Sequence, residues 1–309
     1  MADDEDFAAK LNRLAKAVGD ARKADVLIYS GEIETPQDDN VLSVCLERQH
    51  RREDLFLMIC TFGGDPDAAY RIARYLKRQY RRVVVMVYGF CKSAGTLLVL
   101  GADELVLGER AELGPLDIQL RKEDELSEAS SGLTPMQSLS TLEIRAYETF
   151  RHHFVKLKRE LSLTTKTASD IACRLAIGMY APIFEQIEPM RVGETQRANN
   201  IAWEYGKRLA ADGNNLKPHA LQRLVAAYPS HGFVIDRGEA KDLFERVTEP
   251  SAADVALAEH IIGVTRAPAK DPLVFFLNDE ATNEPKETAG PINGDPRSAG
   301  GDQEAYGGG

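Results

Sequence analysis

The sequence lacks several features that would assign it to a particular environment. No stretch approaches the roughly 20 apolar residues that a membrane-spanning helix needs. The acidic segment at residues 1–6 is the opposite of a basic signal-peptide start, so we expect a cytoplasmic protein without a transmembrane segment. No Cys-x-x-Cys pair occurs, which argues against a zinc site or redox couple and favours structural thiols in a reducing compartment. The four cysteines are Cys45, Cys60, Cys91 and Cys173.

An excess of positive charge is also absent. The net charge of the 309 residues is −10, and most of it lies at the two ends of the chain. Residues 267–309 contain three basic and eight acidic residues, and residues 3–6 are all acidic. The remaining body is close to neutral. Binding to nucleic acid needs a basic surface, so we do not expect nucleic acid as a ligand.

Short apolar runs indicate the fold of the first half. Residues 26–29, 55–60 and 83–87 are continuous apolar runs, which are typical of parallel strands covered on both faces. A helical pattern at residues 69–76 separates the last two runs, and a further strand is predicted at 105–107. The order strand, helix, strand predicts an α/β fold with a parallel sheet and crossover helices.

The second half is predicted to be mainly helical. Residues 121–135 are polar and are expected to form an exposed loop. Apolar residues recur at three- and four-residue steps from 139 to 161, which predicts one long amphipathic helix. More helical pattern fills residues 165–226, and a short helix is predicted from Gly238 to Phe244.

These patterns predict one folded domain and a tail. We assign residues 1–266 to the domain, with a helical insertion at about 121–226. Residues 267–309 are rich in proline, glycine and acidic side chains and are expected to be disordered. An apolar segment at 274–277 is the one anchor expected within this tail.

Two glycine-bearing turns follow the second and third predicted strands, about 30 residues apart. In the first, residues 61–67, Asp65 is expected to cap a helix that begins at Pro66. The second spans residues 92–96 and contains Ser93. The carboxyl edge of an open parallel sheet is where such folds place their sites.

Each turn taken alone has an ordinary structural explanation. A Gly-Gly turn before a helix is commonly only a turn, and a serine at a helix start is commonly only a cap. Together, the two turns would place a serine hydroxyl beside backbone N–H donors, as acyl transfer requires. The same spacing also permits a crotonase-type site that stabilises an enolate.

Five segments resemble the serine dehydrogenase proteinase family, which is part of the Clp protease/crotonase superfamily and related to the signal peptide peptidases. In order and spacing they are compatible with that family, and the first four lie within a matching stretch from Leu55 to Leu120. The segments are residues 61–69, 92–96, 102–106, 112–117 and 230–241.

The resemblance implies a Clp protease/crotonase-like fold and a serine peptidase. Ser93 is then the nucleophile, and the N–H groups of Gly64 and Ala94 form the oxyanion hole. It further implies protein or peptide substrates, no metal or organic cofactor, and assembly into a homo-oligomer.

The general base is not identified by the sequence. Residues 115–119 contain no histidine, so a Clp-type triad in its usual order is absent. Signal peptide peptidases use a lysine instead, and Lys122 follows the matched core. His231 lies in the last matched segment and has a suitable unperturbed pKa. We favour Lys122 slightly over His231, consider Lys92 a weaker candidate, and note that Asp117 could orient a base.

Two other functions remain open at this point. The missing Clp-type histidine fits a catalytically inactive scaffold or oligomeric interaction protein. A crotonase-like acyl-CoA enzyme would need adenine and phosphate contacts, for which the sequence shows no basic cluster.

Overall fold

A mostly parallel sheet forms the centre of the molecule. The structure, a computed structural model, describes residues 2–116 and 135–278. Within these residues the sheet has seven strands. They are β1 (Ala24–Ser30), β2 (Asp54–Thr61), β3 (Arg82–Cys91), β4 (Glu104–Leu107), β5 (Glu112–Leu113), β6 (Val247–Thr248) and β7 (Leu273–Phe276).

The strand order is β6-β4-β3-β2-β1-β7, and β5 pairs with the end of β3. Every pairing is parallel except that of β7, which runs antiparallel to β1. All seven residues of β1 are buried, as are seven of the eight in β2. The continuous apolar runs of these strands are therefore explained by cover on both faces of the sheet.

Helices supply this cover. Those that surround the sheet are α1 (Ala2–Arg22), α2 (Gln37–Glu47), α3 (Pro66–Gln79), α4 (Ala94–Val99), α8 (Ala220–Ala226), α9 (Arg237–Leu243), α10 (Ala252–His260) and α11 (Ile262–Thr265). Alternate strand residues point to opposite faces. Leu57 and Val85 pack with α3 and α4 on one face, whereas Phe56 and Met86 pack with α1 and α10 on the other.

Three longer helices form the mainly helical second half. They are α5 (Pro135–Glu160), α6 (Thr165–Phe184) and α7 (Pro189–Gly213). Buried alanines at 168, 172 and 176 allow α6 to pack closely with its neighbours. Helix α7 lies against α3, where Tyr205 stacks on Tyr70 at a centroid distance of 4.2 Å and its hydroxyl donates to Asp67 at 2.7 Å.

Paired charges occupy the amino ends of the strands. Asp25 is fully buried and accepts a hydrogen bond from Arg48 at 2.7 Å. Lys77, on the last turn of α3, contacts both carboxylate oxygens of Asp103 at 2.7 Å. A buried charge is tolerated only with such partners, and these ion pairs compensate the charges at this edge of the sheet.

The predicted fold class is confirmed, including the parallel sheet, the crossover helices and the mainly helical second half. The predicted apolar anchor at 274–277 overlaps β7. Most of the loop predicted at 121–135 lies outside the described residues, as does the tail from residue 279 onward. The boundary at residue 266 stays a prediction.

Cys45, Cys60 and Cys91 are buried free thiols, and burial raises the pKa of Cys45 and Cys60 to about 11.

Candidate active site

The strand register brings three turns to one edge of the sheet. Ser30 pairs with Cys60, and Thr61 pairs with Cys91, so β1, β2 and β3 end at nearly the same level. Hydrogen bonds continue the pairing into the turns. Gly31 N–H donates to the Cys60 carbonyl at 3.0 Å, and Lys92 N–H donates to the Thr61 carbonyl at 3.1 Å. The segments after the three strands therefore face one another at the carboxyl edge.

The Gly-Gly turn after β2 adopts a backbone that side chains disfavour. Gly63 has φ +114° and Gly64 has φ +136°. A Cβ on Gly64 would lie 2.1 Å from the Ile33 carbonyl oxygen, closer than any real contact. Ile33 holds this turn on both sides, since its N–H donates to the Gly63 carbonyl at 2.8 Å and its carbonyl accepts from Asp65 N–H at 2.7 Å. Only glycine fits here.

The helix start predicted after this turn is present. The Asp65 carboxylate accepts a hydrogen bond from Asp67 N–H at 2.9 Å, and Pro66 occupies the first turn of α3. This cap fixes where the Gly-Gly turn ends and leaves the peptide N–H of Gly64 at the sheet edge.

The turn after β3 holds Ser93 in a strained conformation. Its φ is +49° and its ψ is −115°, a sparsely populated combination that costs about 1–3 kcal/mol for a residue with a side chain. Ser93 precedes α4, yet its hydroxyl makes no capping hydrogen bond. The ordinary explanation of a serine at a helix start is therefore wrong for this residue. A strained strand-to-helix turn of this kind exposes a serine hydroxyl above a sheet.

The two turns are in direct contact. A Cβ on Gly63 would lie 2.8 Å from the Cβ of Ser93 and 3.2 Å from the amide nitrogen of Ala94. Glycine at position 63 thus permits the close approach of the two backbones. The amide of Ala94 opens α4, where N–H groups have no partner within the helix.

Two buried threonines form hydrogen bonds with the backbone of these turns. The hydroxyl of Thr61 accepts from Gly63 N–H at 3.0 Å. The hydroxyl of Thr96 donates to the Cys91 carbonyl at 3.0 Å and accepts from Gly114 N–H at 3.1 Å. These bonds satisfy polar groups that would otherwise be buried without partners, and they fix the turn geometry.

A cavity of about 420 Å³ lies above the turns. Ser93, Gly64, Ala94 and His231 all contribute to its wall. The other lining residues are Glu32, Glu34, Phe62, Asp65, Pro66, Leu97, Leu116 and Ala202. The structure therefore brings together four of the five residues that the sequence singled out for the site. The fifth, Lys122, lies outside the described residues, as does Asp117.

His231 reaches the cavity on a short loop before α9. The loop closes with a hydrogen bond from Phe233 N–H to the Ser230 carbonyl at 3.1 Å. Ile235 then pairs antiparallel with Leu113 through hydrogen bonds of 2.9 and 3.1 Å. This pairing folds the loop back over the sheet edge within one chain, as a base at position 231 requires.

Lys92 does not face the cavity. Its ammonium lies 2.9 Å from the Glu112 carboxylate and donates to the Leu113 carbonyl at 3.1 Å. These contacts direct the Lys92 side chain toward β5.

Sequence reasoning missed several parts of the cavity wall. Glu32 and Glu34 line it from the segment after β1, on either side of Ile33. Their position directly after the first predicted strand was the available signal. Leu116 and Ala202 are apolar residues whose contribution depends on long-range packing. Within residues 2–116 and 135–278, no cluster of His, Cys, Asp or Glu could hold a metal ion.

Comparisons with known proteins agree with the resemblance. Residues 37–131 match the model of a family described as ClpP-like SDH-type serine proteinase. This segment contains both glycine turns and Ser93. The resemblance predicted from the sequence is thereby confirmed, and at the family level the chain is similar to serine peptidases.

Two curated relatives are uncharacterized proteins of Methanocaldococcus jannaschii. One is 35% identical over 86 residues, covering 28% of this chain and 30% of the relative. The other is 25% identical over 186 residues, covering 56% of each protein. The chain thus spans between about a third and about half of the lengths of these relatives.

Among solved structures, two mutants of the 1510-N membrane-bound stomatin-specific protease are similar. Their identities are 17% and 18%, and their TM-scores are 0.28 and 0.29. Each covers 47% of this chain, and the matches cover 66% and 62% of the two solved chains. In the part of the present chain that the structure describes, no helix is long and apolar enough to cross a membrane.

Proposed function

We propose that the protein is a serine peptidase in which Ser93 is the nucleophile. The observation that carries the proposal is the strained φ of Ser93 in a cavity that Gly64, Ala94 and His231 also line. Strain of this kind persists where the surrounding structure enforces it, and it is concentrated at functional sites. The family match over residues 37–131 supports the same reaction class.

In the proposed reaction the Ser93 hydroxyl attacks the carbonyl carbon of a peptide bond and gives its proton to a base. The oxyanion that forms is stabilised by the N–H groups of Gly64 and Ala94. Collapse of this intermediate breaks the C–N bond, and the leaving amine takes the proton from the base. Water then attacks the acyl-enzyme by the same route and releases the carboxylate and Ser93.

For the base, we propose His231 and keep Lys122 as the alternative. His231 lines the cavity, and a neutral imidazole accepts a proton near pH 7 without the desolvation that a lysine needs. The two assignments differ in pH dependence. Turnover that relies on a histidine should level off near neutrality, whereas a lysine base should give activity that climbs into the alkaline range. Profiles for His231→Ala and Lys122→Ala would distinguish them.

A fluorophosphonate probe tests the proposal directly, because efficient reaction requires an activated serine. We expect the probe to label the native protein at Ser93, as identified by peptide mass spectrometry. Ser93→Ala should not be labelled, and prior heat denaturation should abolish labelling of the native sequence. Absence of labelling in the folded protein would instead support the inactive scaffold.

The cavity disfavours the acyl-CoA alternative. Among the described lining residues, Glu32, Glu34 and Asp65 carry carboxylates, and none is a lysine or arginine. Such a wall repels the phosphates of a CoA ester.

Peptide substrates, a homo-oligomeric state and a cytoplasmic location are parts of the proposal that follow from the family resemblance and the sequence. Sedimentation analysis of the purified protein tests the oligomeric state.

A further inference from the structure

Lys92 is the residue next to Ser93, and it is mostly buried, with 12% of its side chain exposed. An ammonium group has three N–H donors and no acceptor. Three acceptors surround this one. They are the Glu112 carboxylate at 2.9 Å, the Leu113 carbonyl at 3.1 Å and, at a longer 3.5 Å, the Phe233 carbonyl. The three acceptors can therefore occupy all three donors of the Lys92 ammonium.

The three acceptors belong to two different segments of the cavity wall. Glu112 and Leu113 form β5, which continues to the lining residue Leu116. Phe233 lies two residues after His231, within the loop that delivers His231 to the cavity. The Lys92 side chain thus connects the turn that carries Ser93 with both segments.

The surrounding backbone makes room for this connection. A Cβ on Gly114 would lie 3.0 Å from the Cδ of Lys92, so the glycine gives space to the lysine stem. The antiparallel pair of Leu113 and Ile235 holds β5 next to the loop that contains Phe233. Lysine at position 92 is therefore placed by packing as well as by charge.

We propose that Lys92 is a positioning residue, which holds the His231 loop at a fixed distance from Ser93. The inference rests on the proposed function and adds to it a reason for the lysine beside the nucleophile. A displacement of about 1 Å in such a site reduces rates by about 100-fold. Lys92→Met keeps the apolar stem but removes all three donors.

The test measures the rate of fluorophosphonate labelling at Ser93. We expect Lys92→Met to slow labelling by about 10- to 100-fold. Lys92→Arg, which retains the cation and several donors, should recover part of the rate. Lys77→Met is the matched control, because Lys77 has a similar exposure of 13% and a similar ion pair, but its ammonium contacts Asp103 and not β5 or the His231 loop. Its labelling rate should equal that of the native sequence.

A double-mutant cycle separates positioning from general stability. If Lys92 acts through His231, Lys92→Met should slow His231→Ala no further, because groups that act as a unit are not additive. It should also remove the pH dependence that belongs to His231. If Lys92→Met fails to give a folded protein by circular dichroism, Glu112→Gln replaces it in the cycle, since it removes the ion pair but keeps Lys92.

Each outcome has one meaning. Suppose that the native protein is labelled, but Lys92→Met either leaves the labelling rate unchanged or slows His231→Ala by the same factor as it slows the native protein. Either result would overturn the positioning role and leave Ser93 as nucleophile. If the native protein is labelled and His231→Ala is labelled at the same rate, the positioning role would also be overturned. No labelling of the native protein would reject the proposed function itself.

Discussion

The two edges of the sheet differ in their buried charge, backbone strain and open space. At the amino edge, charges are buried and paired, as with Asp25 and Arg48 or Lys77 and Asp103. The carboxyl edge also has a paired lysine, Lys92 with Glu112, but there Ser93 is strained without a capping bond and Gly64 lines a cavity. The strained serine and the cavity of the proposed chemistry thus lie at the carboxyl ends of the strands.

The comparison predicts that changes at Ser93 affect activity more than folding. The largest expected effect is that of Ser93→Ala, which should reduce peptide hydrolysis by about 10⁴- to 10⁶-fold. The folded structure should persist, since the substitution removes one oxygen at the sheet edge. Hydrolysis of a fluorogenic peptide and near-ultraviolet circular dichroism measure the two quantities.

Ser93→Gly sharpens this test. Glycine adopts positive φ without strain, so we expect it to be about 1 kcal/mol more stable than Ser93→Ala and equally inactive. Equal or lower stability of the glycine variant in urea would show that position 93 stores no strain. Undiminished hydrolysis by either folded variant would exclude Ser93 from the mechanism.

A second prediction concerns Gly64, where strain and contact coincide. Gly64→Ala should destabilise the protein by about 2 kcal/mol or more, because its Cβ meets the Ile33 carbonyl at a positive φ. Gly178→Ala, on α6, is the matched control, since a Cβ there has no neighbour within 4 Å. That variant should be up to about 1 kcal/mol more stable than the native protein, through helix propensity. Similar stabilities for the two variants would contradict the structure of the Gly-Gly turn.

A third prediction tests the ion pair between Arg22, at the end of α1, and the buried Asp254 of α10. Burial raises the pKa of Asp254, but hydrogen bonds from Arg22 and Ser251 outweigh burial and lower it overall. Because the pKa is lower in the folded state, this carboxylate stabilises the protein fully above its unfolded pKa of about 3.9. That contribution is lost as the pH falls toward the folded value.

Urea unfolding between pH 6 and pH 3 measures this effect. Asp254→Asn should lose less stability over that interval than the native protein does. Asp170→Asn provides the control, because Asp170 forms only an exposed pair with Arg174 on α6 and contributes little. Parallel pH curves for the native protein and Asp254→Asn would refute the assignment.

The smallest effect is expected at the acidic end of the sequence. Composition predicts that residues after Pro285 bury almost nothing, so their deletion should change the melting temperature by no more than about 1 °C. A drop of several degrees in differential scanning calorimetry would show that this segment docks on the domain.

Local patterns allowed much of the fold to be predicted. The apolar runs identified β1, β2 and β3, and the Asp65-Pro66 pair identified the start of α3, because strand burial and helix capping depend on neighbouring residues. The strain at Ser93 could not be predicted in this way. Positive φ is usually marked by glycine or asparagine, whereas here it occurs at a serine whose turn lies directly against Gly63.

Contacts between distant segments were equally beyond sequence reasoning. Three such contacts join residues that lie 20 to 140 positions apart. They are the contact of Ile33 with the Gly63-Gly64 turn, the ion pair of Lys92 with Glu112, and the approach of His231 to the cavity of Ser93. No periodicity records such pairings, and the resemblance supplied only the candidates. The relation of Lys122 to the site stays a prediction.

The antiparallel pairing of β7 with β1 has a consequence for synthesis of the protein. Ser30 is translated long before its partner Leu273, and the first strand therefore waits for most of the chain with one unpaired edge. Unpaired strand edges are templates for association with other chains. A nascent polypeptide that stalls before residue 273 should thus be prone to aggregate. A chaperone that binds the nascent chain would protect this edge until β7 has been made.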